Sequence, residues 1–308
     1  MFKTLLTLVM LGGFAMAVRS AEEVKITQEE KTLKIEIGGK PWSTYYFADG
    51  KGMDYVRPFF SPVLAPDGEN VTSDQFETNK VDHPHHRSLW FAHGDVNGAD
   101  HWLVKPDGPK QKHLKFSKME GDSFVEELNW ESKTHEPMLN ETRTIRIFVF
   151  PDGARGLDVT SVFTPVSDKV TFGDTKEAGL CSVRMRKEIS DTGVLTNSAG
   201  GTGEKECWGK AADWCDISGK IGEKTYGVTV FDAPENPKHP STWHVRQYGL
   251  LAANIFALHE YDKKLPKGAG DFTIEKGSSA TFKYRVVIHA GDVKSAGLEA
   301  KYKEFTGK

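Results

Sequence analysis

The chain is a succession of short alternating segments with almost no helix between them, and this limits its fold more than any other feature. Leu33, Ile35 and Ile37 interleave with Lys34, Glu36 and Gly38, the period-two pattern of a half-buried strand. Thr142 to Phe150 and Gly156 to Phe163 alternate in the same way and are joined through Pro151-Asp152-Gly153, a strong turn signal. Phe272-Thr273-Ile274 and Ala280 to Ile288 are expected to form a second hairpin around Lys276-Gly277-Ser278-Ser279, with further strands at Val183 to Ile189, Tyr226 to Phe231 and Trp243 to Leu251. Only Val293 to Phe305 has helical spacing, with Leu298, Tyr302 and Phe305 on one face. Strands not interleaved with helices disfavour a doubly wound α/β fold and point to an all-β sandwich or barrel.

The first residues read as a leader rather than as part of that fold. Lys3 precedes an apolar run from Leu5 to Phe14, and Ala15-Met16-Ala17 is a small-residue cleavage site. Residues 1–21 are therefore expected to be a signal peptide, cut after 17, 20 or 21, leaving 22–308 as one β-sandwich domain in the periplasm or outside the cell. A subdivision near residue 120 is the alternative. No other stretch is apolar for long enough to span a bilayer as a helix. Forty basic side chains face 43 acidic ones, a formal charge of −3, so the basic stripe of a nucleic-acid binder is missing. The cysteines leave two readings open: Cys207 and Cys215 pair across a loop containing Trp208 and Trp214 with Cys181 free, or all three stay reduced. Their C-x7-C spacing matches no common zinc motif.

Chemistry concentrates between Asp82 and Gly98. His83, His85, His86 and His93, four of the eleven histidines, fall within these seventeen residues beside Arg87, Trp90, Asp95 and Asn97. Imidazole donates, accepts or ligates near neutral pH, so this density marks a working site. Pro84 forbids a regular central strand there, and the expected picture is a loop running into a strand at Ser88 to Ala92. The order H-P-H-H lacks the helical spacing of a zinc protease. The expected cofactor is none, with a metal ion on His83, His85 and His93 as a minor alternative.

A second constellation lies some 160 positions further on. On a strand, Trp243, Val245 and Gln247 face one way while His244, Arg246 and Tyr248 face the other, with Asn254 following. A His/Arg/Tyr face suits a polyol or carboxylated sugar: a forked donor, a stacking surface and a proton carrier. A solvated outer face is the plainer reading. Glu177 and Arg184, flanking Ala178-Gly179-Leu180, are candidates for a base and a binding partner. Asp213 and Asp216, near the two loop tryptophans, read equally as a sugar subsite or as part of a satellite core. His113, His135, His239, His259 and His289 stand singly and are expected to be structural or solvated.

The segments DHPHHRSLWFAHGDVNG and EAGLCSVRM, Trp208 to Asp216, and GVTVFDAPENPKHPSTWHVRQYGLLAANIF with the closing hairpin resemble a family of exported bacterial proteins known as PmoA-like. The likeness runs from about residue 24 to residue 306. A methane monooxygenase subunit is a membrane protein, whereas this chain has no spanning helix, so the inherited name carries no mechanism. The resemblance implies a companion of polysaccharide breakdown on a large twisted antiparallel sandwich similar to the galactose mutarotases. In such enzymes a histidine acid and a carboxylate base act on a sugar ring.

The expectation is thus an exported carbohydrate-active enzyme doing acid/base work on a sugar: hydrolysis, elimination or epimerisation. His86, His93, His244 and Glu177 would be catalytic, with His83, His85, Arg87, Trp90, Asp95, Asn97, Arg184, Arg246, Tyr248 and Asn254 binding the substrate. The rivals are a non-catalytic carbohydrate-binding module and a histidine-ligated metal enzyme. All depend on the two distant segments meeting at one cleft.

Overall fold

The computed structural model describes residues 22–48, 56–74 and 83–307. The expected leader and Asp82, at the head of the histidine segment, lie outside the described residues. The chain opens with β1 (Val24–Gln28), β2 (Thr32–Ile37), β3 (Lys40–Tyr46), β4 (Phe59–Val63) and β5 (Leu89–His93). A long meander follows: β6 (Gln111–Glu120), β7 (Ser123–Glu131), β8 (Pro137–Val149) and β9 (Arg155–Pro165). Next come β10 (Val170–Phe172), β11 (Ala178–Arg184), α1 (Lys187–Thr192), β12 (Val194–Asn197) and α2 (Glu204–Cys207). The remainder is β13 (Trp214–Ile221), β14 (Lys224–Asp232), β15 (Trp243–Arg246), β16 (Leu250–Ala253), α3 (Leu258–Tyr261), β17 (Phe272–Ile274), β18 (Ala280–Ala290) and α4 (Leu298–Thr306).

These strands build two eight-stranded antiparallel sheets, ordered β1-β2-β3-β4-β5-β11-β16-β15 and β12-β13-β14-β18-β9-β8-β7-β6. The fold is a large antiparallel β-sandwich with one short C-terminal helix. Its core joins the inner faces of both sheets, Ile35, Leu89, Phe91 and Val183 from the first with Ile145, Leu157, Val230 and Ile288 from the second. Residue 120 ends β6 within the β6–β7 hairpin. Helix α4 covers the outer face of the second sheet, where Leu298 and Tyr302 pack on Phe231 and Val287. The outer face of the first sheet carries Tyr46, Phe59, Trp90, Ala92, Leu250 and Ala252.

A buried polar network ties the sheets together. The fully buried Arg143 donates through Nε and Nη2 to Glu141 (2.8 Å each), through Nη1 to the Tyr45 hydroxyl (3.1 Å), and through Nη2 to Gln111 Oε1 (3.4 Å). Ser161 and Trp130 donate to the same Glu141 carboxylate, and Tyr45 donates to Glu126. Gln111 passes the linkage on, its Nε2 donating to the Phe91 carbonyl at 2.9 Å. One guanidinium therefore connects β3 and β5 to β6, β7, β8 and β9.

Several boundaries differ from the sequence expectations, each for a local reason. The closing hairpin does not form: both edges of β18 are taken, by β9 and β14, so β17 pairs with β10 instead. The run from Trp243 to Leu251 is two strands, because Gly249, at φ +96°, turns the chain and donates its N–H to the Arg246 carbonyl. The strand expected over 183–189 stops at Arg184, and Ile189 reaches the core from α1. Helix α4 begins at Leu298 rather than near Val293, because Asp292 and Ser295 close a turn ahead of it.

Removing one member of a buried, fully paired ionic cluster leaves the others unpaired, at a cost of about 3–5 kcal/mol. Arg143→Ala is expected to lose that much stability in urea unfolding; a loss below about 1 kcal/mol would show that the network does not hold the sheets.

Candidate functional site

The outer face of the first sheet holds a cleft of about 540 Å³. His83, His85 and His86 line one side, and His244, Arg246 and Tyr248 line it from the other segment. Strand parity explains the meeting. In β15, Trp243 and Val245 enter the core, so His244 and Arg246 face outward; in β5, Leu89 and Phe91 enter the core, so Trp90 and Ala92 face outward beneath the histidine loop. Tyr248 reaches the cleft from the β15–β16 turn rather than from a strand.

The histidine wall is a set of nearly parallel rings. His83 stacks on Tyr248 (4.9 Å, 17°) and on His86 (4.7 Å, 3°), and His86 stacks on Trp90 (5.4 Å, 18°). His85 stands edge-on to His86 at 4.4 Å. Arg57 holds this loop from below, donating to the His85 carbonyl and to the His101 carbonyl (3.0 Å). Arg184, on β11, lies 4.6 Å over the Tyr248 ring and donates to His86 Nδ1 at 2.9 Å. Guanidinium can only donate, so Nδ1 is the acceptor and His86 carries its proton on Nε2. Burial, then the neighbouring His85 and Arg184, hold the His86 imidazolium far below its ordinary range, so the ring is neutral at physiological pH.

The opposite wall combines His244 with the loop Thr175-Lys176-Glu177. Burial, followed by the Arg246 charge, lowers the His244 pKa to about 4. Glu177 keeps 41% of its side chain exposed, with the Lys176 ammonium 3.7 Å away. Asn254 fixes this loop: its Nδ2 donates to the Thr175 and Lys176 carbonyls at 3.1 Å each, while its Oδ1 accepts from Phe256 N. Gly94 lets the end of β5 approach, since a Cβ there would sit 2.7 Å from the Glu177 carbonyl. Asp100 also lines the cleft, but its Oδ1 accepts from the Trp102 and Leu103 amides.

Several expected site residues lie elsewhere. His93 is in phase with Leu89 and Phe91 and is sealed in the core between Phe172 and Phe256, with Nε2 donating to the Gly173 carbonyl at 2.9 Å. It is neither a catalytic group on the cleft nor able to share an ion with His83 and His85. Among the described residues, no three His, Cys, Asp or Glu side chains are placed to hold a metal. Asp95 closes a turn by accepting from Gly98 N (2.7 Å), and Asn97 bridges to Lys169 and Thr171. Asn254 is fully buried and positions a loop rather than touching a ligand. Trp90 is buried beneath His86 and supports it, while Arg87 lies buried over Phe59. Asp216 is buried among Ser218, Thr229 and His289, and Asp213 pairs with His239, so the sugar subsite expected near the loop tryptophans is not formed.

Sequence reasoning missed Arg57, His101, Trp102 and Lys176. Trp102 lies 5.4 Å from Trp90 and 6.5 Å from His244, between the two walls. His101 is buried against Trp130 with its pKa lowered, chiefly by burial, to about 3. Both follow the glycine turn at 97–98 that returns the chain along β5, the one local signal that could have found them.

The molecule is a two-sheet antiparallel β-sandwich with a cleft on the outer face of one sheet. It is similar to a galactose mutarotase related enzyme from Lactobacillus acidophilus (8% identity, TM-score 0.36, covering 86% of this chain and 97% of that one). It is also similar to a GalM/aldose epimerase homologue from C. elegans (10% identity, TM-score 0.37, covering 89% and 100%). A polysaccharide lyase aligns at 11% identity and TM-score 0.33, over 89% of this chain and 33% of that one. The chain belongs to the family of unknown function DUF6807, whose model matches residues 32–303. Comparison with the curated proteins gives no match.

The neutral imidazoles carry a stability signature. For His244 the unfolded chain takes up a proton below its ordinary value of 6.5, whereas the folded ring does so only near 4. The unfolded state binds more protons across that window, so stability falls as pH drops through it. Urea midpoints should decline between about pH 6.5 and 4, and His244→Gln should flatten that decline; an unchanged slope in the variant would refute the assignment.

Proposed function

We propose that this cleft binds a sugar or related polyol in an exported protein and moves protons on it, with Glu177 as the base. The observation that carries this reading is a half-exposed carboxylate sharing one cleft with neutral imidazoles, His86 and His244, a partly exposed Tyr248 ring and the forked donors of Arg246. A cleft near 540 Å³ is within the range of small-molecule sites, about 300–1,000 Å³.

The roles follow from proton inventories. His86 accepts at Nδ1 from Arg184 and carries a proton on Nε2, so it offers a hydrogen bond to a substrate oxygen rather than taking a proton from it. That role parts from the sequence expectation of His86 as a proton shuttle. His244 lines the cleft and is neutral at pH 7, which suits a second donor or acceptor. Base duty passes to Glu177, whose carboxylate is half exposed and meets the partly exposed Lys176 ammonium at 3.7 Å. Asp100 is committed to its turn, so among the described residues the cleft lacks the pair of available carboxylates that flank a glycosidic bond in most hydrolases. One carboxylate facing neutral imidazoles favours removal and return of a proton, as in epimerisation or elimination, over hydrolysis.

The test combines titration calorimetry on a panel of neutral and acidic sugars and oligosaccharides with product analysis of the same mixtures in D2O. A substrate should gain deuterium or change configuration. Glu177→Gln should bind it within about threefold of wild type and lose about 10²–10⁴-fold in turnover, the span of a general base. Unchanged turnover in Glu177→Gln would overturn the role, and binding without any product would make the protein a carbohydrate-binding module.

A further inference from the structure

Cys207 and Cys215 lie eight positions apart and are both fully buried. Their proximity is built by Asn197. Its backbone is the register partner of Cys215 in the β12–β13 pair, and its side-chain amide donates to the carbonyl of Glu206, the residue before Cys207, at 3.3 Å. The Cys207 thiol also donates to the Gly201 carbonyl at 3.5 Å. The two thiols are within reach of each other. A hydrogen bond from Cys215 lowers the Cys207 pKa, while burial and the Cys207 sulfur raise that of Cys215. Cys181 lies on β11, a strand of the other sheet.

The helix that ends at Cys207 also borders the cleft. Glu204, its first residue, places Oε1 3.2 Å from Arg246 Nε and accepts from Gln247 N through Oε2 at 2.7 Å. Just beyond Cys207, the Gly209 N–H donates to the Trp243 carbonyl at 2.8 Å.

We propose that Cys207 and Cys215 are a dithiol that closes to a disulfide in an oxidising compartment, and that the closed form holds α2 and its Glu204–Arg246 pair at the rim of the cleft. The inference rests on the packing of this loop, not on the chemistry assigned to the cleft. With a small disulfide as oxidant, the Cys207 thiolate attacks one sulfur and expels one small thiolate, leaving a mixed disulfide. The Cys215 thiolate then attacks the Cys207 sulfur and expels the second. The two cysteines lose two protons and two electrons, and the oxidant becomes two thiols.

The experiment treats the folded protein with oxidised glutathione or with dithiothreitol, removes the reagent, unfolds each sample in iodoacetamide and measures the masses. The oxidised sample should carry one alkylated cysteine, Cys181, and a peptide cross-linking Cys207 to Cys215; the reduced sample should carry three. Cys215→Ser should trap glutathione on Cys207. Amide exchange at Gln247 should slow on oxidation. Three alkylated cysteines in both samples, a bridge through Cys181, or glutathione retained on wild-type Cys207 would overturn the pairing. A bridge that leaves Gln247 exchange unchanged would overturn its role at the rim.

Discussion

Arg143 is the constraint on which the architecture turns. A guanidinium with no exposure to water is tolerable only if its donors are met, and here Glu141, Tyr45 and Gln111 meet them from three strands. Such a cluster does not slide. A one-residue slip of β8 would turn Arg143 outward and take the guanidinium away from the buried Glu126, so the network sets register as well as holding the layers. Through Gln111 it grips the Phe91 carbonyl, and with Phe91 fixed inward the neighbours Trp90 and Ala92 must face outward.

That phase makes the cleft. The histidine loop rests on Trp90, Arg57 holds it from below, and the β15–β16 turn brings Tyr248 against it. Burial and the neighbouring positive charges hold the imidazoles of His86 and His244 neutral. On the facing wall Glu177 stays half exposed, on a loop held in place through the buried amide of Asn254. The cleft thus sets buried imidazoles on both walls against a single half-exposed carboxylate.

Much of this was legible in the residues. Alternation revealed the sandwich, and the outward His244–Arg246 face follows from counting by twos. The same count could have placed His93, which shares its phase with Leu89 and Phe91; histidine density outweighed it. Asp95 and Asn97 belong to Asp-Val-Asn-Gly, which is turn chemistry before it is ligand chemistry. What stayed hidden was long-range. Nothing near Arg57 announces that it will hold a loop 28 residues away, and nothing near β18 shows that both its edges will be occupied. The roles of Asn254 and Arg184 depend on partners about 80 and 98 positions distant, beyond any local pattern.

The two indoles at the base of the cleft have a consequence of their own. Trp90 and Trp102 are 5.4 Å apart and inclined at 57°, with no solvent exposure. Chromophores that close and neither parallel nor perpendicular exchange excitation, and an oblique pair of this kind produces a bisignate circular-dichroism band whose sign follows the handedness of their arrangement. The molecule therefore carries an optical gauge beneath its cleft, one that responds to angstrom-scale tilting of either ring without any attached label.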